Sequence, residues 1–155
     1  MIRKILITGE SNFVGKNFLD LIKKKKNKIL AISRKNHKKN KNIVWLKNDF
    51  GKVNSTNLKK IIKFGPEVII HMRWQDIPNF DNKTCALNLN KSKKFLGKLI
   101  HLKSLKKIII TGPCLEYLNK KEIINENQKL DKINFMLKSK IDLQVFSKKL
   151  CFINK

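Results

Sequence analysis

The stretch Ile5-Leu6-Ile7-Thr8-Gly9-Glu10-Ser11-Asn12-Phe13-Val14-Gly15 decides the fold. Ile5 to Thr8 is the short apolar run of a buried strand. Gly9 at the strand end permits a tight turn, and Gly15, one turn into the following helix, lets that helix pack close to the sheet. The helix N-terminus then offers free backbone N–H groups to a pyrophosphate. Two glycines alone carry little weight. Placed after a strand and at the opening of an amphipathic helix, they point to a dinucleotide site, with an ordinary strand–helix turn as the alternative.

Working outward, Phe13 to Lys26 reads as a helix, with Val14, Phe18, Leu21 and Ile22 at helical spacing and Lys23 to Lys26 in the last turn, where cations suit the dipole. Lys28 to Ser33 and Ile43 to Leu46 are the second and third strands. Leu58, Ile61 and Ile62 mark a short helix stopped by Gly65-Pro66, and Val68 to His71 is the fourth strand. Leu87 to Leu102 is the next helix, Ile108 to Thr111 the fifth strand, and Asn134 to Leu150 the last helix. Asn36 to Asn42 is a basic loop. Strands of this length alternating with helices predict a parallel sheet with helices on both faces.

The chain has 155 residues and is 41% hydrophobic, enough for one domain with one core. No apolar run is long enough to span a bilayer, so no membrane role is expected. The first residues are too short an apolar block for a secretory signal, and a cytoplasmic location is the expectation. Cys85, Cys114 and Cys151 are odd in number and widely spaced, and His37, His71 and His101 lack a ligand spacing, so neither a disulfide framework nor a metal site is predicted. The net charge of +25 comes from 36 Lys+Arg against 11 Asp+Glu, but only Arg3, Arg34 and Arg73 are arginines. Specific nucleic-acid readers favour arginine for bidentate contacts. Lysine, asparagine and isoleucine rising together read as compositional drift, with only weak, non-specific nucleic-acid binding.

Thr8-Gly9 through Phe13-Val14-Gly15 resembles the opening of the NAD-dependent epimerase/dehydratase family, the extended short-chain dehydrogenases acting largely on nucleotide sugars. The family pattern is Thr-Gly-x-x-Gly-Phe-Ile-Gly, so Asn12 stands where its middle glycine belongs. Further matches follow in the family's order. Asp49 resembles the aspartate that contacts adenine. Pro66-Glu67-Val68-Ile69-Ile70-His71 resembles a Pro-Asp-Val-Val-Ile-His segment, and Asn88-Leu89 with Ser92 the start of the next helix. Ile109-Ile110-Thr111 through Glu116-Tyr117 resembles the fifth strand and its turn, and Ser139-Lys140 the end of a Tyr-x-x-Ser-Lys motif. The resemblance implies a Rossmann-type doubly wound sheet in the order 3-2-1-4-5. It also implies a dinucleotide held by Gly9, Ser11, Asn12, Phe13, Val14, Gly15, Ser33, Arg34, Asp49 and Lys140.

The departures concern catalysis. The family's general acid/base is a tyrosine four residues before the lysine; here that residue is Met136, which carries no proton, and the neighbouring Phe135 has no hydroxyl. The assisting Ser/Thr position falls on Pro113, with Thr111 two residues earlier. Acid/base catalysis contributes about 10²–10⁴-fold, so efficient turnover is not expected. Lys140 could still hold a nicotinamide ribose, or be simply a solvated lysine. Tyr117 matches a different family position, and Cys114, without a partnered His and acid, is not expected to be a nucleophile. Asn12 narrows the approach to the pyrophosphate, although asparagine tolerates left-handed backbone. Arg73 replaces a small residue beside the cofactor; it would salt-bridge a phosphate or take up the space, and obstruction is the expectation.

After the second strand, an acidic residue suits the NAD ribose and a basic one the 2′-phosphate of NADP. Ser33-Arg34-Lys35 favours NADP over NAD, unless Arg34 and Lys35 merely begin a basic loop. His71 is expected to be structural, and Trp45 and Trp74 packing residues, with the border of the cofactor cleft as the alternative place for Trp74. The chain stops where the family's sixth strand should begin. The expectation is therefore a single domain, 1–155, a truncated NAD(P)-binding half without its substrate region and with doubtful nucleotide-sugar chemistry. It could act as a homo-oligomer or with a partner chain encoded downstream. The alternatives are a non-catalytic basic binding or interaction protein, and a gene fragment.

Overall fold

Side chains alternate across a strand, so the two faces of the sheet can be read separately. Leu6, Leu30, Ile32, Leu46 and Ile69 are buried on one face; Ile5, Ile7, Ile29, Ala31, Ile43 and Ile70 are buried on the other. A sheet apolar on both faces must be covered on both, which is the condition of parallel α/β folds. The computed structural model of the chain describes residues 2–38, 40–76, 79–113 and 134–153.

The elements are β1 (Lys4–Thr8), α1 (Phe13–Ile22), β2 (Lys28–Ser33), β3 (Ile43–Lys47), a 3-10 turn (Phe50–Lys52), α2 (Ser55–Phe64), β4 (Val68–His71), α3 (Asn82–Leu99), β5 (Lys107–Ile110) and α4 (Phe135–Ile153). The sheet order is 3-2-1-4-5, as expected, and every pairing is parallel. The strand order reverses at β1, which pairs β2 on one side and β4 on the other. Such a switch point opens a crevice at the carboxyl ends of the strands.

The two layers are unequal. Leu58 and Ile61 of α2, Phe95, Leu96 and Leu99 of α3, and Leu143 of α4 pack in one cluster on one face. The other face is covered by α1, through Phe18, Leu19 and Ile22, with no second helix on it among the described residues. The chain crosses from β2 to β3 by a loop rather than a helix, which leaves that layer thin. Among the described residues no helix is long and apolar enough to cross a membrane.

Helix ends follow their caps more closely than their apolar spacing. The helix expected to reach Lys26 ends at Ile22, and Lys23 to Lys26 form turns beyond it. Ile22 is the last residue of α1 buried in the core, and the four lysines that follow repel one another with no apolar anchor. The helix expected from Leu87 begins at Asn82, because Asp81 Oδ1 accepts from the Thr84 N–H at 2.8 Å. Asn88 and Ser92 therefore lie within α3, not at its start. Helix α2 stops at Gly65-Pro66 as expected, and the structure shows how: Gly65, at φ 64°, closes it as a left-handed cap.

Candidate cofactor site

The glycine turn between β1 and α1 is built by close approach. Gly9 has φ 83°, and a Cβ there would come within 2.6 Å of the Arg73 nitrogen and the Met72 carbonyl carbon. A Cβ at Gly15 would run into the Gly9 carbonyl. The first glycine lets the chain turn against the residues that follow β4, and the second seats α1 on the turn itself.

Asn12 acts differently from expectation. Its backbone is extended, at φ −78° and ψ 170°, so no left-handed tolerance is used. Its carboxamide spans the turn instead. Oδ1 accepts from the Gly15 N–H at 2.6 Å, capping α1, and Nδ2 donates to the Met72 carbonyl at 2.9 Å. One amide at the helix N-terminus is therefore already satisfied by the protein itself. Phe13 and Val14 point outward and are exposed, and Ser11 stands at the rim.

Above the turn lies a cleft whose walls come from four strand ends. Gly9, Glu10 and Ser11 follow β1, Ser33 ends β2 and Arg34 follows it, Asn48 and Asp49 follow β3, and Arg73 and Gln75 follow β4. The structure brings Gly9, Ser11, Ser33, Arg34 and Asp49 together here. Its open interior is only about 40 Å³, far below the roughly 300–1,000 Å³ of ordinary ligand pockets. Converging side chains fill it. A dinucleotide would enter only if those side chains turned aside.

Asp49 caps the 3-10 turn, accepting from the Gly51 N–H at 2.9 Å, and takes both oxygens to Gln75 Nε2 at 3.1 Å. Burial pushes its carboxyl upward, but the Gly51 N–H, the Gln75 amide, Lys91 and Arg34 outweigh that and leave it below the usual range. Gln75 is buried. Its Oε1 accepts from Lys91 Nζ at 2.6 Å, and its backbone N–H donates to Asn88 Oδ1 at 2.7 Å. Sequence reasoning missed Gln75, Glu10 and Asn48, which lie in loops with no periodic signal. Ser33 is buried, with its hydroxyl 2.8 Å from His37 Nε2 and accepting from the Lys35 N–H. His37 stacks on Trp45 at 3.8 Å, folding the start of the basic loop back over the end of β2.

Arg73 projects into the cleft half-buried. Burial and the nearby Arg34 guanidinium hold it below the ordinary arginine range, against the opposing pull of Glu10, Asp49 and Asp76. Lys140 is not in this wall. Its Nζ donates to the Thr111 carbonyl at 3.1 Å and lies 4.4 Å from the ring centre of Trp74, which is buried in the core as a packing residue. Met136 is one helical turn before Lys140 on the same face of α4. Pro113 is half-buried beyond β5, whereas Cys114, Glu116 and Tyr117 lie outside the described residues.

Behind the cleft, His71 is fully enclosed. Its Nδ1 is 2.7 Å from Thr8 Oγ1 and its Nε2 3.0 Å from Ser92 Oγ, tying β1, β4 and α3 together. Phe50 meets its ring edge-on at 5.2 Å and Phe95 stacks at 5.7 Å. Burial, with a smaller push from Lys140, lowers its pKa to about 3, so it stays neutral as a structural residue.

A parallel sheet in this order, with a glycine turn beneath a cleft at its carboxyl edge, is the Rossmann-type doubly wound arrangement. The sequence profile of the NAD dependent epimerase/dehydratase family matches residues 5–129, and the chain belongs to that family. No curated protein matches it. Solved structures share its fold. The Bordetella bronchiseptica enzyme WbmH in complex with NAD+ superposes with a TM-score of 0.79 at 12% identity, over 97% of this chain and 53% of that one. The UDP-Glc/GlcNAc 4-epimerase of Campylobacter jejuni gives 0.78 at 16% identity, over 98% of this chain and 50% of that one. UDP-glucose-4-epimerase of Stenotrophomonas maltophila, with bound NAD and formylated UDP-arabinopyranose, gives 0.79 at 9% identity, over 99% and 50%. The chain spans about half the length of these structures.

Proposed function

We propose that the chain is the NAD(P)-binding part of an epimerase/dehydratase-type protein, a single domain that holds a nicotinamide dinucleotide and is impaired in hydride transfer on its own. The observation that carries the binding role is the Gly9–Gly15 turn packed under a cleft where Ser33, Arg34 and Asp49 converge. Solved relatives of the same fold hold NAD or NAD+. On this reading Asp49 faces the adenine. Ser11, Phe13 and Val14 offer backbone N–H groups to the pyrophosphate, and Lys140 reaches the nicotinamide ribose after leaving the Thr111 carbonyl. Arg34, with Ser33 beside it, favours NADP over NAD. When bound, the dinucleotide supplies hydride-transfer chemistry.

The proton is the missing half. Met136 and Pro113 hold no exchangeable hydrogen beside the carbon to be oxidised. Fluorescence titration of the unmodified chain with NADPH and NADH tests the binding role, and saturable binding tighter for NADPH is expected. Incubation with either oxidised cofactor and a panel of nucleotide sugars should give little or no reduced cofactor. Measurable turnover would overturn the impairment, and failure to bind either cofactor would overturn the binding role.

A further inference from the structure

Two guanidinium groups reach one narrow cleft from strands on opposite sides of β1. Arg34 follows β2 and Arg73 follows β4. The salt bridges of the described residues are Lys23–Asp20 and Lys106–Glu67, so neither arginine is closed into an ion pair there. Asn48 adds a buried Nδ2 donor with no hydrogen-bond partner among the described residues, in the same wall. The acidic side chains of the cleft are already engaged or outnumbered. Arg34, Lys35 and Arg73 still outnumber the carboxylates of Glu10 and Asp49 in the lining, Asp49 is also bonded to Gln75 and Gly51, and Asp76 lies near Arg73 outside it. Like charges brought together in a half-buried cleft raise each other's cost, and an anion between them removes it.

We propose that Arg73 is a specificity-determining residue that, with Arg34, forms a two-arginine clamp for a phosphate monoester on the adenosine half of the ligand. The clamp rests on the dinucleotide reading above for its place in the cleft, but it needs neither the pyrophosphate nor the nicotinamide. A guanidinium presents a planar fork of donors that matches phosphate oxygens two at a time, and two forks from opposite sides would enclose the dianion. Asn48, in the same wall after β3, would add a donor once its buried Nδ2 turns toward the ligand. The side chains that fill the cleft would then be the ones that grip the ligand. Arg34 is exposed and Arg73 half-exposed, so both can swing on flexible stems.

Calorimetric titration with 2′,5′-ADP tests the clamp apart from the rest of the cofactor, with 5′-AMP as the control that keeps the 5′-phosphate and lacks the 2′-phosphate. Saturable binding of 2′,5′-ADP is expected, with 5′-AMP at least about tenfold weaker. Arg73→Ala should weaken 2′,5′-ADP and NADPH about tenfold or more and leave NADH within about twofold, and Arg73→Lys should restore part of the loss. The Arg34→Ala/Arg73→Ala pair should be non-additive, because both hold one group. Tighter binding in Arg73→Ala would mean that Arg73 obstructs the cleft, and the clamp falls. It falls equally if 2′,5′-ADP does not bind, or if Arg73→Ala leaves it unchanged, even where NADPH binds well. Binding of 2′,5′-ADP through Arg73 without binding of either dinucleotide would sustain the clamp and sink the dinucleotide reading.

Discussion

Acidification should destabilise the fold through His71 before any carboxylate is involved. In the folded chain the imidazole is neutral, enclosed between Phe50 and Phe95 and bonded to Thr8 and Ser92, with a pKa of about 3. In the unfolded chain it titrates near 6.5. Between those values the unfolded state binds one more proton than the folded state, so stability falls as pH falls. At about 1.36 kcal/mol per pH unit, and allowing for partial protonation at the upper end, roughly 2 kcal/mol is lost between pH 7 and pH 5. That is a large share of a stability of about 5–15 kcal/mol. Urea denaturation followed by far-ultraviolet circular dichroism at half-unit pH steps measures it. His71→Gln removes the titrating group at the cost of a lower stability at every pH. Averaged over the same interval its pH slope should be smaller by about 0.7 proton, the difference growing toward one proton near pH 5. An identical slope in both proteins would falsify the assignment of this proton to His71.

Gly9→Ala combines a positive φ with a Cβ only 2.6 Å from backbone atoms of Met72 and Arg73, so a loss of at least about 2 kcal/mol, or failure to fold, is expected in urea titrations. Asn12→Ala removes the cap of α1 and the tie to Met72; about 1–2 kcal/mol should be lost, and a change within error would deny the clasp any role. Nucleic-acid binding driven by a charge of +25 should be indifferent to sequence and collapse as salt rises, and selective binding surviving physiological salt in a filter or anisotropy assay would contradict drift.

The strands were legible because a strand buried on both faces is written as an unbroken apolar run. Ile29 to Ile32 and Val68 to Ile70 can hardly be anything else. The order followed from the family resemblance, and the glycine turn from its place after β1. Helix ends were less legible: Lys23 to Lys26 continue a helix by propensity, yet only burial holds a turn in place, and that stops at Ile22. The cleft was half legible. Ser33, Arg34 and Asp49 sit at or just beyond strand ends, where register fixes position, and they line one cleft. Gln75, Glu10 and Asn48 join them by the path of loops, and the attachment of Lys140 to Thr111 depends on how α4 docks beside β5. No spacing in the chain encodes such contacts.

The central place of β1 bears on how the chain acquires its fold as it is made. Lys4 pairs with Lys28 in β2, but Ile5 must wait for Val68 in β4 before its second edge is closed. A strand translated first and completed more than sixty residues later pays a long loop closure before its second ladder repays it. Until β4 emerges, β1 and β2 form a hydrophobic pair with an open edge, the kind of surface that recruits chaperones or neighbouring nascent chains. Lys4 and Lys28, side by side at the first register position of that pair, would help keep such intermediates apart by repelling the same end of a neighbouring chain.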